Sequence, residues 1–93
     1  MARSIIQSEK ECFVCKTTLN LHEHHVFFGT GNRKISERYG MKVWLCQEHH
    51  TGRNGVHFDR QLDLLIKTVA QGTFEKEIGN RDEFRRLFGR SYL

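Results

Sequence analysis

Two pairs of metal-binding residue types, Cys12-Phe-Val-Cys15 and Cys46-Gln-Glu-His49, constrain this chain more than any other feature of its sequence. Zinc takes four thiolate or imidazole ligands in a tetrahedron, and two ligands separated by two residues grip one ion from a single turn. The two halves share that spacing. Together they offer a Cys3His site that closes the 30-residue excursion between Cys15 and Cys46. Three cysteines, an odd number, exclude a complete disulfide framework within the chain. Two other readings compete. In one, Cys46 is a buried strand cysteine and Cys12-x-x-Cys15 a bare thiol pair. In the other, Cys12, Cys15, His22 and His24 form a local site, which leaves Cys46-x-x-His49 without a purpose. A structural zinc on Cys12, Cys15, Cys46 and His49 is the expectation. With 93 residues the chain buries a limited share of its surface, so a metal staple answers a need.

A single domain of α+β class is expected over residues 1–93. It divides into an irregular polar arm (1–11), a zinc-tied core (12–57) and helical support (58–93). There is no proline, and we find no internal repeat or linker composition. Cys12 to Lys16 reads as a knuckle whose amides face the thiolates. His25-Val-Phe-Phe28 reads as a short strand stopped by Gly29-Thr-Gly-Asn32, Ile35 to Tyr39 as a helical turn closed by Gly40, and Met41 to Leu45 as a second strand with Cys46 at its end. Phe58, Leu62, Leu65, Ile66 and Val69 recur at i, i+4, i+7, i+8 and i+11, one face of a helix over 58–71. Asp59 suits its first turn. Gly72 either ends that helix or is tolerated in a longer one reaching Ile78. Asn80 with Glu83 resembles a capping box for a last helix, with Phe84, Leu87 and Phe88 inward and Arg85, Arg86 and Arg90 outward. Phe27, Phe28, Trp44 and Phe58 are assigned to the core.

If zinc takes His49, five histidines remain: His22, His24, His25, His50 and His57. His24 and His25 stand beside the first strand, where adjacent side chains point to opposite sides. One can then face a metal while the other faces a substrate. Phosphodiester hydrolysis needs that division: a base to activate water, and a metal ion to neutralise charge on the phosphate and the leaving oxygen. A histidine suits the base because its reference pKa lies near neutrality, at about 6.5. Taken singly, each of these residues is better read as an ordinary surface or core histidine. The pair at one end of the excursion and His50 at the other give the set its interest.

Cys12-x-x-Cys15, His24-His25-Val-Phe and Val43-Trp-Leu-Cys46-x-x-His49-His50 together resemble an HNH endonuclease, a ββα-metal or His-Me finger protein. The run from His24 to Gly40 and the segment Gly55-Val-His57-Phe-Asp are similar to small HNH-like proteins of bacteriophages and prophages. The likeness covers most of the chain, through the ending Glu83 to Leu93. It implies a zinc-stapled ββα-metal finger with additional C-terminal helices. It also implies a metal-dependent DNA endonuclease. By that likeness His25 is the general base, and His24 and His50 are ligands of a catalytic divalent ion, Mg2+, Mn2+ or Ni2+. Asn54 and His57, four and seven residues after His50, are the candidates to complete the ion's shell; His57 is slightly favoured, and a packing role at the helix start is an equal reading of it. The family's middle Asn, which helps hold the base-bearing loop, has no counterpart in Tyr39-Gly-Met-Lys-Val43.

The stretch Gly29-Thr-Gly-Asn-Arg33-Lys34 is glycine-rich and basic but lacks the Gly-Lys-Ser/Thr ending of a phosphate-binding loop, so nucleotide binding of that kind is set aside. Arg33, Lys34 and Arg53 are the candidate DNA contacts, with Arg38 and Arg60 as possible extensions; the same loop reads equally well as a solvated turn. Fifteen Lys and Arg against eleven Asp and Glu give a formal charge of +4, which favours a polyanionic partner only mildly. DNA, and other phage or DNA-processing proteins, are the partners expected. No apolar run approaches the roughly 20 residues that span a bilayer, so no membrane role and a cytoplasmic location are expected. A non-catalytic zinc module that binds DNA or protein, and a purely structural zinc protein, are the alternatives.

Overall fold

The computed structural model describes residues 3–93. Its two strands, β1 (Leu21–His25) and β2 (Lys42–Cys46), pair antiparallel, with Leu21 opposite Cys46 and His25 opposite Lys42. Helix α1 (Asn32–Tyr39) lies in the connection between them. A four-residue turn of helix, α2 (Gln47–His50), follows β2 directly. Then come α3 (Arg60–Glu77) and α4 (Arg81–Phe88). Among the described residues this is a small α+β arrangement of one two-stranded sheet and four helices.

Expectation and structure part company at the first strand. The apolar run Val26-Phe27 does not pair as a strand interior; β1 is the polar segment just before it. Val26 donates a last ladder-like bond to Met41 O at 2.9 Å, and then both Val26 and Phe27 turn fully into the core. The strand is polar: after Leu21 it consists of His22, Glu23, His24 and His25. By alternation His22 and His24 share a face with Leu45 and Val43, while Leu21, Glu23 and His25 share the other with Cys46, Trp44 and Lys42.

The free edge of β2 is covered by the N-terminal arm. Ile5 donates to Gly40 O, Phe13 donates to Trp44 O, and Trp44 donates to the Gln7 side chain at 2.9 Å. The edge is thereby closed against pairing with another chain. Gly40 makes this possible: it sits at φ +70°, and a Cβ there would lie 2.2 Å from Arg3 O.

The helices supply the rest of the core. Asp59 caps α3 by accepting from the Leu62 amide at 3.1 Å. The helix runs on through Gly72, which is exposed, so the longer of the two expected forms is realised. Its inward stripe differs from the expected one. Ile66, Ala70, Gln71 and Phe74 are buried and Leu62 is half-buried, whereas Phe58, Leu65 and Val69 are 73%, 57% and 38% exposed. Phe74 sets the rotation: it meets Phe84 and Phe88, and the stripe that includes it leaves Leu65 and Val69 on the flank. The capping box of α4 is present as expected, Asn80 accepting from the Glu83 amide at 2.9 Å and Glu83 from the Asn80 amide at 3.1 Å. It presents Phe84 and Phe88 to Phe27, with ring centroids 5.2 and 4.5 Å away. Aromatic packing at these distances adds to area burial. Phe27 is therefore core as assigned, while Phe28 is 43% exposed, and Phe58 lies outside.

Candidate metal centres

Two groups of ligating side chains flank α2. In the first, Cys12, Cys15, Cys46 and His49 bring their ligand atoms within 4.8 Å of one another, close enough to hold a metal ion such as zinc. Cys15 Sγ lies 3.8 Å from Cys46 Sγ, and His49 Nδ1 lies 3.2 Å from Cys46 Sγ and 3.7 Å from Cys12 Sγ. Tetrahedral thiolates at the usual zinc–sulfur distance of about 2.3 Å stand about 3.8 Å apart, so the donor set and its spacing fit that ion. The knuckle is built by the chain itself. Lys16 adopts φ +66° and donates to Cys12 O, and Cys12 donates to Thr17 O. Burial alone would push the Cys12 thiol up. The amides of Cys15, Cys46 and Val14 outweigh it and bring Cys12 down to about 6, while burial raises Cys46. A thiolate is the form a metal binds.

The second group is His24, His50 and His57, whose ligand atoms also lie within 4.8 Å of one another. Each comes from a different element. His24 is on β1, on the face opposite to His25. His50 follows the zinc half-site by one residue, about 100° further round α2, so consecutive histidines address different centres. His57 is brought back by the turn after α2, where Val56 is buried and donates to His49 O at 3.0 Å. Gly55 lets that turn close: a Cβ there would meet His50 O at 2.7 Å. Asn54 is not part of the group. Its side chain donates instead to Glu48 at 2.9 Å.

His24 is 4% exposed, and its Nε2 is buried without a hydrogen-bond partner, alone among the buried side-chain polar atoms of the described residues. Burial first, then the neighbouring His50 and His57, hold His24 down to about 3, and burial with His22 and His57 lowers His50. Neutral imidazoles that resist protonation are what a cation requires of its ligands. An unpartnered buried nitrogen beside two more imidazoles therefore fits a metal ion, and three imidazoles suit zinc, nickel, copper or iron better than magnesium. His22, which sequence reasoning placed only in the competing local site with Cys12, Cys15 and His24, puts Nδ1 2.9 Å from His50 Nδ1. The i, i+2 spacing of His22 and His24 on one strand face was the available signal.

Around this group is a cleft of about 300 Å3 lined by Glu23, His24, His25, Phe28, Arg33, His50 and His57. Of the basic candidates, Arg33 is in the lining, whereas Lys34 and Arg53 are exposed outside it. Phe28, expected in the core, instead forms a wall beside His24 and His57. A larger hollow of about 540 Å3 lies between the arm and β2, lined by Arg3, Gln7, Lys42 and Trp44 among others, and has no comparable donor set. His25 lies on the opposite sheet face from His24, with 10% of its side chain exposed, and places Nε2 2.9 Å from Glu37 Oε1. Glu37 Oε2 lies 3.1 Å from the buried ammonium of Lys42, which also reaches Glu23 at 3.4 Å. Glu23, His25 and Glu37 are near enough to suggest a third metal group, but the Lys42 ammonium already supplies their positive charge.

No protein-family model matches the chain, and no curated protein and no solved structure matches it.

Proposed function

We propose that this chain is a zinc-stapled, metal-dependent DNA endonuclease of the HNH type, with the β1–β2–α2 unit as its ββα-metal finger. The convergence of His24, His50 and His57, with His24 Nε2 buried and unpartnered, in a cleft that His25 and Arg33 also line, carries this reading.

Each residue then has a task. Cys12, Cys15, Cys46 and His49 would hold the structural zinc, which fixes the end of β2 against the knuckle. His24, His50 and His57 would hold the second ion; when bound, it supplies charge neutralisation at the scissile phosphate and the leaving oxygen. His25 takes the proton from the attacking water. Arg33 pairs with a phosphate oxygen and sets the backbone in register. Lys34 and Arg53, outside the cleft, serve the flanking phosphates at most. Glu23 at the rim repels the DNA backbone except where Lys42 offsets it. The donor chemistry favours Ni2+ among Mg2+, Mn2+ and Ni2+ as the supporting ion.

A plasmid-nicking assay on zinc-loaded protein supplied with each ion in turn tests this. The wild type should nick, best with Ni2+. His25→Ala should keep its zinc and its DNA affinity while cleavage falls by roughly 10²–10⁴-fold, the loss typical of a missing general base. His50→Ala should weaken the dependence on added metal. A folded wild type that binds DNA without nicking it under any of the ions makes the chain a zinc-bearing binding module instead.

A further inference from the structure

We propose that Glu37 is the positioning residue for His25, filling the role left open by the missing Asn, and that the nitrogen His25 turns to water is Nδ1. The inference rests on the nuclease reading for its catalytic part and on the hydrogen-bond geometry alone for its ring assignment.

An ionised carboxylate accepts hydrogen bonds and donates none. With Glu37 Oε1 at 2.9 Å, His25 Nε2 must be the donor of that bond. A neutral imidazole carries one N–H, so Nδ1 is left with the lone pair, and only that nitrogen can take a proton. The carboxylate is itself fixed. Its second oxygen accepts from Lys42 Nζ at 3.1 Å, and Lys42 is almost wholly buried directly across the sheet from His25. Hydrogen bonds from His25 and Lys42 hold Glu37 down to about 2, so it stays an acceptor throughout the neutral range. Lys42 therefore aligns Glu37, and Glu37 aligns the ring. In the reaction a water proton passes to Nδ1 while the water oxygen bonds to phosphorus and the P–O bond to the leaving alcohol breaks. The ring then carries a proton on each nitrogen, with Nε2–H still donating to the Glu37 carboxylate. Nothing in the spacing of the sequence marks Glu37, because it comes from α1 and not from the stretch in which the family's Asn lies.

Two measurements test this. Long-range proton–nitrogen correlation spectra of 15N-histidine-labelled, zinc-loaded protein at about pH 8, above the reference histidine pKa, report the tautomer of each ring, with His25→Ala identifying the signals. His25 should be the Nε2–H tautomer in the wild type. It should become a mixture in Glu37→Ala and stay largely Nε2–H in Glu37→Gln, which keeps an acceptor oxygen. In the nicking assay Glu37→Ala should lower kcat by roughly 10–100-fold, as losses of orienting partners do, with KM for DNA and zinc content unchanged, and Glu37→Gln should recover most of the rate. An Nδ1–H or doubly protonated ring in the wild type overturns the assignment, and a Glu37→Ala protein cleaving at the wild-type rate overturns the positioning role. A wild type without cleavage removes the catalytic part together with the nuclease reading, while the spectra still decide the ring assignment.

Discussion

Lys42 is a charged side chain with 4% of its surface exposed, tolerated because Glu23 and Glu37 both reach it. Buried ammonium groups need such partners, since an unpaired one is costly to desolvate. The linkage with pH follows from Glu37. Its carboxyl is lowered from 4.5 to about 2 in the folded chain, first by the His25 hydrogen bond and then by Lys42. Between those values the unfolded chain binds more protons, so this stability is complete above 4.5 and is lost as pH falls toward 2. The thermal midpoint of the wild type should exceed that of Glu37→Gln near neutrality, and the gap should narrow steadily below about pH 4.5 in excess zinc. A gap that stays constant on acidification would mean that the carboxylate charge contributes nothing. At this scale Cys12, Cys15, Cys46 and His49 were legible because ligands with two residues between them in sequence remain neighbours in space. Glu37 was not, because its partners are twelve residues before it and five after it, on two different strands.

Helix α1 ends at Gly40, and there the arm crosses so closely that only a hydrogen side chain fits. Gly40→Ala should cost at least about 1–2 kcal/mol for the left-handed backbone, with the displacement of Arg3 added. The Trp44 amide, which the arm shields through Gln7, should exchange with solvent faster in the variant. Unchanged stability and unchanged Trp44 protection would show that the arm does not close the sheet edge. At the element scale, local signals were legible where the cause is local. Asn80 and Glu83 cap α4 within one turn, and Asp59 caps α3. The inward stripe of α3 was misjudged by Phe58, Leu65 and Val69, because the pattern was counted over 58–71 while Phe74, beyond that window, anchors the helix. The run His25 to Phe28 reads as the first strand for a related reason: apolar content marks what is buried, and here the buried pair Val26-Phe27 follows the strand that pairs.

Two separate ties hold the molecule together. The Cys3His group joins the knuckle to the end of β2 and α2. The Phe27, Phe74, Phe84 and Phe88 cluster joins the segment after β1 to α3 and α4. The hairpin has only two strands, too few to be independently stable in water, so the metal should contribute to folding outright. Cys46→Ala, or removal of zinc with a strong chelator, should abolish the cooperative unfolding transition and collapse the far-ultraviolet circular dichroism. Metal analysis that finds no zinc in a cleanly folded preparation would sink this expectation. No helix of the described residues is long and apolar enough to cross a membrane.

By itself the sequence determined the residue types at the Cys3His group, the α+β class and the capping box of α4, since each of these depends on neighbours within a turn or on a repeated spacing. The family likeness also named His24 and His50 for the second group, with His57 favoured over Asn54, and strand alternation set His24 and His25 on opposite faces. Tertiary structure brought the three histidines together: the Gly55 turn returns His57 to His50, and Asn54 is taken by Glu48. It also moved Phe28 from the core to the cleft wall and brought Glu37 and Lys42 to His25. The physical reason is common to all of these. They are contacts between elements, fixed by how a two-stranded sheet twists against the helices, and a side chain's period along the chain carries no information about which neighbour the fold will set against it.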